Sequence, residues 1–312
     1  MAAATRLQQL IERAHAMDLR WDGSQETATA DVLLPSMPRL IEVLGRARRS
    51  IDDEMRSRAS AAPMVMPSAL AGASTIADYP VGYCQFIRDA VLGRLAADPR
   101  WRDLVRRGVR VRDVFIILKD RYFQNAMQVG NLYVDVANDT VDRSKHWLEW
   151  APLGDVPFEN PGDLARLATV AATYLGCSVH ANTVFPLLAP VVPLLAVRGD
   201  DRVELLHVAP GCFLKDVGDS MRSYRRWLSG GMAGTTPLPE HALRTLVAAC
   251  GSNDRATFPF EFRPCGPDEL AAQAQAYSEA ASDPATHELV TAVLDLVPDA
   301  ARRLIQLQRT QP

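Results

Sequence analysis

The stretch VRVRDVFIILKDRYFQNAMQVGNLYVDVANDTV, residues 109–141, constrains the fold more than any other part of the chain. It alternates, is rich in β-branched and aromatic residues, and carries Gly130-Asn131 between two apolar runs. A stretch of this kind reads as two or three consecutive strands. Glycine and asparagine both tolerate positive φ, so Gly130-Asn131 predicts a two-residue hairpin turn. With that turn, Val129 pairs with Leu132, Met127 with Val134 and Asn125 with Val136. This face is mostly apolar and would meet a core. The opposite face carries Gln124, Ala126 and Gln128 on one strand, and Tyr133, Asp135 and Ala137 on its partner. Two amides, a phenol and a carboxylate thus gather within direct or diagonal reach.

Around this sheet the apolar spacing is helical. Helices are predicted over 5–17, 36–60, 84–97, 99–107, 162–176, 215–229, 238–250, 267–281 and 285–309, with Pro298 marking a kink or break in the last. A second hairpin is expected near 193–208, with Gly199-Asp200 as its turn. The low-charge stretch 59–74, punctuated by Pro63, Pro67 and Gly72, reads as a linker or wrapping segment. A chain of 312 residues exceeds the usual single-domain size. Three regions are expected: 1–75, helical with a linker; 76–158, an α+β core; and 159–312, mainly helical. The fold class is therefore α+β, a small antiparallel sheet with a cysteine-bearing helix, embedded in a largely helical protein.

A formal charge of −3 and a pI near 6.1 leave no basic excess to hold a phosphate backbone, which argues against a nucleic-acid partner. The longest apolar run, VFPLLAPVVPLLAV at 184–197, contains three prolines and is too short for a membrane span. The first residues lack the apolar region of a signal peptide. Five cysteines (84, 177, 212, 250 and 265), with no CxxC pair, argue against a disulfide framework or a zinc cluster. Reduced thiols and a cytoplasmic location are the expectation. The HExxH, GxSxG, GxGxxG, P-loop and EF-hand patterns do not occur, so neither metal nor cofactor is expected.

The candidate chemistry centres on DYPVGYCQFIRDAVLGRL, residues 78–95. Pro80 and Gly82 just ahead of a helix can hold Cys84 at the first turn, where the helix N-terminus favours a thiolate. The alternative is that Cys84 is a small buried apolar residue, as free cysteines commonly are. Six histidines occur. His146, in DRSKHWLEW, is the candidate base if a third strand returns it toward Asp135. His180 and His207 sit among apolar neighbours and read as core histidines.

The aromatic-Pro-x-Gly-x-Cys pattern in YPVGYC, followed by a hairpin ending in LYVDVANDTV, resembles the Cys-His-Asp core of the transglutaminase-like and papain-like superfamily over residues 78–142. The resemblance implies Cys84 as nucleophile, acting on an amide or thioester by acyl transfer or hydrolysis, with Asp135 as the carboxylate that orients a histidine. Gln124 stands where that histidine is expected, and glutamine cannot take up a proton near neutral pH. Tyr83, Gln128, Tyr133 and Asp139 are the candidates for contact with a small-molecule, peptide or protein amide substrate. The alternative is a catalytically inactive relative that binds a ligand or protein partner.

Overall fold

A computed structural model describes residues 5–59, 65–66, 74–75, 79–199, 201–206, 210–251, 258–281 and 283–309. The chain divides into two compact units. One comprises residues 16–68 and 72–160, and the other comprises 1–15, 69–71 and 161–312. The segment 1–75 is thus divided between the units.

In the first unit a π-helical turn, Thr29–Leu33, leads into the long helix α2 (Leu34–Ala59). Helices α3 (Cys84–Leu95) and α4 (Pro99–Arg106) follow. Asp98 caps α4 by accepting from the N–H groups of Arg100 and Trp101, with Pro99 at the first helical position. The 109–141 stretch then forms β1 (Val111–Leu118), β2 (Tyr122–Val129) and β3 (Leu132–Asp135). Strands β4 (Glu149–Pro152) and β5 (Phe158–Glu159) complete an antiparallel sheet of order β4-β3-β2-β1-β5.

The hairpin register is the one the turn residues imply: Val129 opposite Leu132, Gln128 opposite Tyr133, Met127 opposite Val134. Gly130 has φ +56, and a Cβ there would lie 2.5 Å from Thr29 Oγ1. Glycine is required twice over, by conformation and by space. Thr29 Oγ1 in turn accepts the N–H of Asn131, tying the hairpin tip to the start of the long helix.

Because strand side chains alternate, the sheet meets two separate cores. Met127, Val129, Leu132, Val134 and Val136 pack with Ile87, Val91 and Leu95 of α3 and with Leu40, Val43 and Leu44 of α2. Val114, Ile116, Leu118, Ala126 and Tyr133 face the other way, onto Leu19 and Leu153. Each fully buried aliphatic side chain contributes about 1.5–3 kcal/mol, so both faces have their orientation fixed by burial.

The second unit contains α1 (Arg6–Ala16), α5 (Leu164–Leu175), α6 (Pro210–Gly218), α7 (Arg222–Ser229), α8 (Glu240–Cys250), α9 (Pro267–Ser278) and α10 (Pro284–Arg309). Its sheet has the order β8-β7-β6, from β6 (Ser178–Ala181), β7 (Leu194–Val197) and β8 (Val203–Leu205). The predicted second hairpin joins β7 and β8, with Val197 opposite Val203; Asp200 of its turn lies outside the described residues. The single helix predicted over 215–229 is two, because Ser220 and Met221 both have φ +54. The Asp216 carboxylate accepts the N–H groups of Ser223 and Tyr224 at the new start. Helix α10 continues through Pro298, so the break expected there does not occur.

Most of the predicted 59–74 linker lies outside the described residues; within it Val65–Met66 pairs with Ser74–Thr75. The fold is α+β. Among the described residues no helix is long and apolar enough to cross a membrane.

Candidate functional site

Cys84 is placed by the loop in front of it. Gly82, with φ +80, donates its N–H to the Thr140 carbonyl at 3.1 Å, and the Tyr83 N–H reaches the Pro80 carbonyl at 3.0 Å. The chain therefore enters α3 pinned to the segment after β3, and Cys84 becomes the first helical residue. Its side chain is 2% exposed and belongs to the α2–α3 core.

A strand amide meets the sulfur. Asn125 Nδ2, from the middle of β2, donates to Cys84 Sγ at 3.4 Å. The same amide accepts from Arg88 Nη1 at 3.1 Å. Arg88 lies one helical turn beyond Cys84 on the same face of α3. This buried guanidinium also donates to the Val114 carbonyl at 3.2 Å and pairs with Asp89 at 2.8 Å and Asp113 at 3.8 Å. Burial pushes the Cys84 thiol pKa up, the Asn125 donor pulls it down, and the negative charge of Asp135 adds to the rise. The net direction is upward, the opposite of an activated nucleophile.

Asp135 is the centre of a second buried cluster. Its Oδ2 accepts from Gln124 Nε2 at 2.6 Å and from the Tyr133 hydroxyl at 3.3 Å, and its Oδ1 accepts the Ala137 N–H at 2.8 Å. Gln124 Oε1 is buried without a hydrogen-bond partner. Burial raises the Asp135 pKa from its ordinary 3.8 to about 7, helped by the charges of Glu149 and Asp139 and opposed by the Ala137 and Tyr133 donors. Glu149 stands directly opposite Asp135 across the β3–β4 ladder. The Tyr133 hydroxyl is pushed well above its usual range, first by burial and then by Asp135.

These clusters occupy opposite faces of one sheet. Asn125, Met127 and Val134 share the face that meets α3, whereas Gln124, Ala126, Tyr133 and Asp135 share the other. The sulfur at 84 and the carboxylate at 135 are close enough to interact electrostatically, although their side chains project from opposite faces of the sheet. The strand residue presented to the sulfur is Asn125, one position beyond Gln124. With a side-chain period of two, a shift of one residue exchanges the faces. The pairing of β2 with β3 ends at Met127 opposite Val134, so the expected pair of Asn125 with Val136 does not form.

The remaining sequence candidates have defined places. His146 is exposed in the loop before β4; its Nδ1 lies 2.9 Å from the Leu148 carbonyl and its ring is tilted on Trp147. Among the described residues it has no hydrogen bond or ion pair with Cys84 or Asp135. Tyr83 is buried edge-on between Tyr79 and Phe86. Both ends of the Gln128 amide are used, accepting from Arg112 and donating to the carbonyls of Arg20 and Gly130. Asp139 forms a bidentate pair with Arg48 of α2 at 2.8 and 2.9 Å. Arg48, itself buried, also reaches Asp52 at 2.8 Å and the Val136 carbonyl at 2.7 Å. Tyr79 donates its hydroxyl to Asp52, so the start of the YPVGYC loop and the end of β3 are both fastened to α2.

His180 is a satisfied core histidine. Its Nδ1 lies 3.0 Å from the carbonyls of Thr236 and Pro237, and its Nε2 lies 2.8 Å from Ser178 Oγ. His207 lies outside the described residues. No group of three or more potential metal ligands occurs among the described residues.

Asn125, Arg88 and Arg48 are the residues that sequence reasoning passed over. Asn125 and Arg88 carried a usable signal. Asn125 is a lone amide on an otherwise apolar strand face, and Arg88 follows Cys84 at a helical spacing of four. An amide and a guanidinium that must be buried at those positions need each other and a third partner.

What the fold and these contacts define is an α+β protein in which a thiol at a helix start lies on an antiparallel sheet. Comparison with family models, with curated proteins and with solved structures returned no match.

Proposed function

We propose that this chain is a divergent, non-catalytic member of the transglutaminase-like type, acting by binding a ligand or protein partner rather than by cysteine acyl chemistry. The observation that carries this reading is the amide of Asn125 on the Cys84 sulfur, in the position where a cysteine nucleophile needs a base. Burial of the thiol and the upward direction of its pKa support the same reading. Gln124 Nε2 and the Tyr133 hydroxyl both donate to Asp135, whose other oxygen accepts the Ala137 N–H, so the three hold one another as a structural cluster. Loss of general-base assistance costs about 10²–10⁴ in rate, which an amide does not restore.

The test is site-resolved alkylation of the folded protein with iodoacetamide, read by peptide mass spectrometry. Cys84 should label more slowly than the half-buried Cys177 and Cys265 at neutral pH. Selective, fast modification of Cys84 would return the chain to the enzyme reading.

A further inference from the structure

Helices α2 and α4 leave an open groove of about 560 Å³ between them, a size that suits a small molecule. The chemistry of its walls follows from the two helix patterns. On α4 and at the residue that follows it, Trp101 and Leu104 turn inward, which leaves Arg100, Asp103, Arg106 and Arg107 exposed. On α2, Leu40 and Val43 turn inward, which leaves Arg39 and Glu42 exposed. All six exposed side chains line the groove.

Four arginines therefore face two carboxylates. Arg100 lies 3.6 Å from Glu42 and Arg106 lies 3.2 Å from Asp103. Among the described residues, Arg39 and Arg107 have no carboxylate within ion-pair distance. They lie on opposite walls, one on α2 and the other just past the end of α4. Guanidinium groups bind phosphate oxygens through paired N–H donors, and two such groups on facing walls suit an anion with charge at both ends. The overall charge of −3 makes this cationic groove a local departure from the chain's balance, not a reflection of it.

We propose that the α2–α4 groove binds a small molecule bearing a di- or triphosphate group, held principally by Arg39 and Arg107. This goes beyond the reading of Cys84 and stands whether or not that thiol reacts.

Isothermal titration calorimetry of the full chain with inorganic pyrophosphate and with triphosphate tests it. Saturable one-site binding is expected, weakening as salt is raised because the groove is open to solvent. Arg39→Gln and Arg107→Gln should each weaken it about tenfold, about 1.4 kcal/mol apiece. Arg102→Gln, on an exposed side chain of α4 that does not line the groove, should leave it unchanged. No saturable binding at ~1 mM pyrophosphate, the affinity of a weak specific site, would overturn the proposal. So would an equal loss in Arg102→Gln, which marks non-specific attraction, or citrate binding as tightly as pyrophosphate, which removes the phosphate class. Because all three variants change exposed side chains, their folding is separable from their binding.

Discussion

The carboxyl of Asp135 makes the stability of its unit depend on pH in a direction opposite to that of ordinary surface carboxylates. Asp135 is 1% exposed, and its pKa rises from 3.8 to about 7 on folding. Below about pH 4 the group holds its proton in both folded and unfolded chains. Between about pH 4 and 7 the unfolded chain releases the proton and the folded chain keeps it. Stability is therefore fully present at low pH and falls through this window by 1.36 kcal/mol per pH unit. The accumulated loss above pH 7 is about 4 kcal/mol. Asp135→Asn replaces the titrating group with a neutral one of the same shape. It retains an acceptor for the Ala137 N–H and loses acceptor capacity toward Gln124 and Tyr133, a cost of about 1–3 kcal/mol.

The informative quantity is the stability difference between variant and wild type across pH, since contributions from carboxylates that do not interact with Asp135 cancel in it. That difference should shift in favour of the variant by about 4 kcal/mol between pH 4 and 8. Urea unfolding followed by tryptophan fluorescence can read it, because Trp21, Trp101, Trp147 and Trp150 belong to the same unit as Asp135. Parallel profiles for variant and wild type would refute the reasoning, showing that Asp135 ionises in the folded state as it does in water.

Two further outcomes follow from the same unit. Gly130→Ala forces a positive φ on a residue with a Cβ and drives that Cβ onto Thr29 Oγ1, so it should destabilise by about 2 kcal/mol or more in urea titration; a change within ~0.5 kcal/mol would count against the close approach. Arg48→Met strands Asp139 and weakens the tie between the Val136 carbonyl and α2, so a loss of about 3–5 kcal/mol is expected, partly recovered in Arg48→Met/Asp139→Leu. A loss below ~1 kcal/mol would place Arg48 among ordinary surface ion pairs.

What the sequence carried, and what it did not, separates along a physical line. The hairpin was legible because Gly130-Asn131 allows few backbone solutions, and an alternating pattern then fixes the pairs nearest the turn. The polar trio of Gln124, Tyr133 and Asp135 was legible for the same reason, being a consequence of period two. Which face α3 would cover was not legible. That depends on burial, and the face of Met127, Val129 and Val134 is the more apolar, so the helix bearing Cys84 packs there. The motif match aligned Gln124 with the missing base, but burial presented Asn125 to the thiol instead. Ser220 and Met221, just past the Gly218 that ends α6, both take a positive φ, which neither residue type announces. Pro298 shows the reverse: a strong breaker carried within a long helix, whose buried Val290, Val293, Val297, Ala300 and Leu304 hold it to its neighbours. The α2–α4 groove was unreadable in advance because it requires two helices that are not consecutive in sequence to approach.

The thiolate absorbance of Cys84 tests the heart of this account: a sulfur enclosed by the α2–α3 core and met by the Asn125 amide rather than by a base. Titrating the ultraviolet difference between wild type and Cys84→Ala isolates that one group from the other four cysteines. The difference should stay flat through neutrality and rise only above pH 9, the ordinary value for the group. An inflection near or below neutral pH would mean that a base or cation stabilises the thiolate, and the non-catalytic reading would fail.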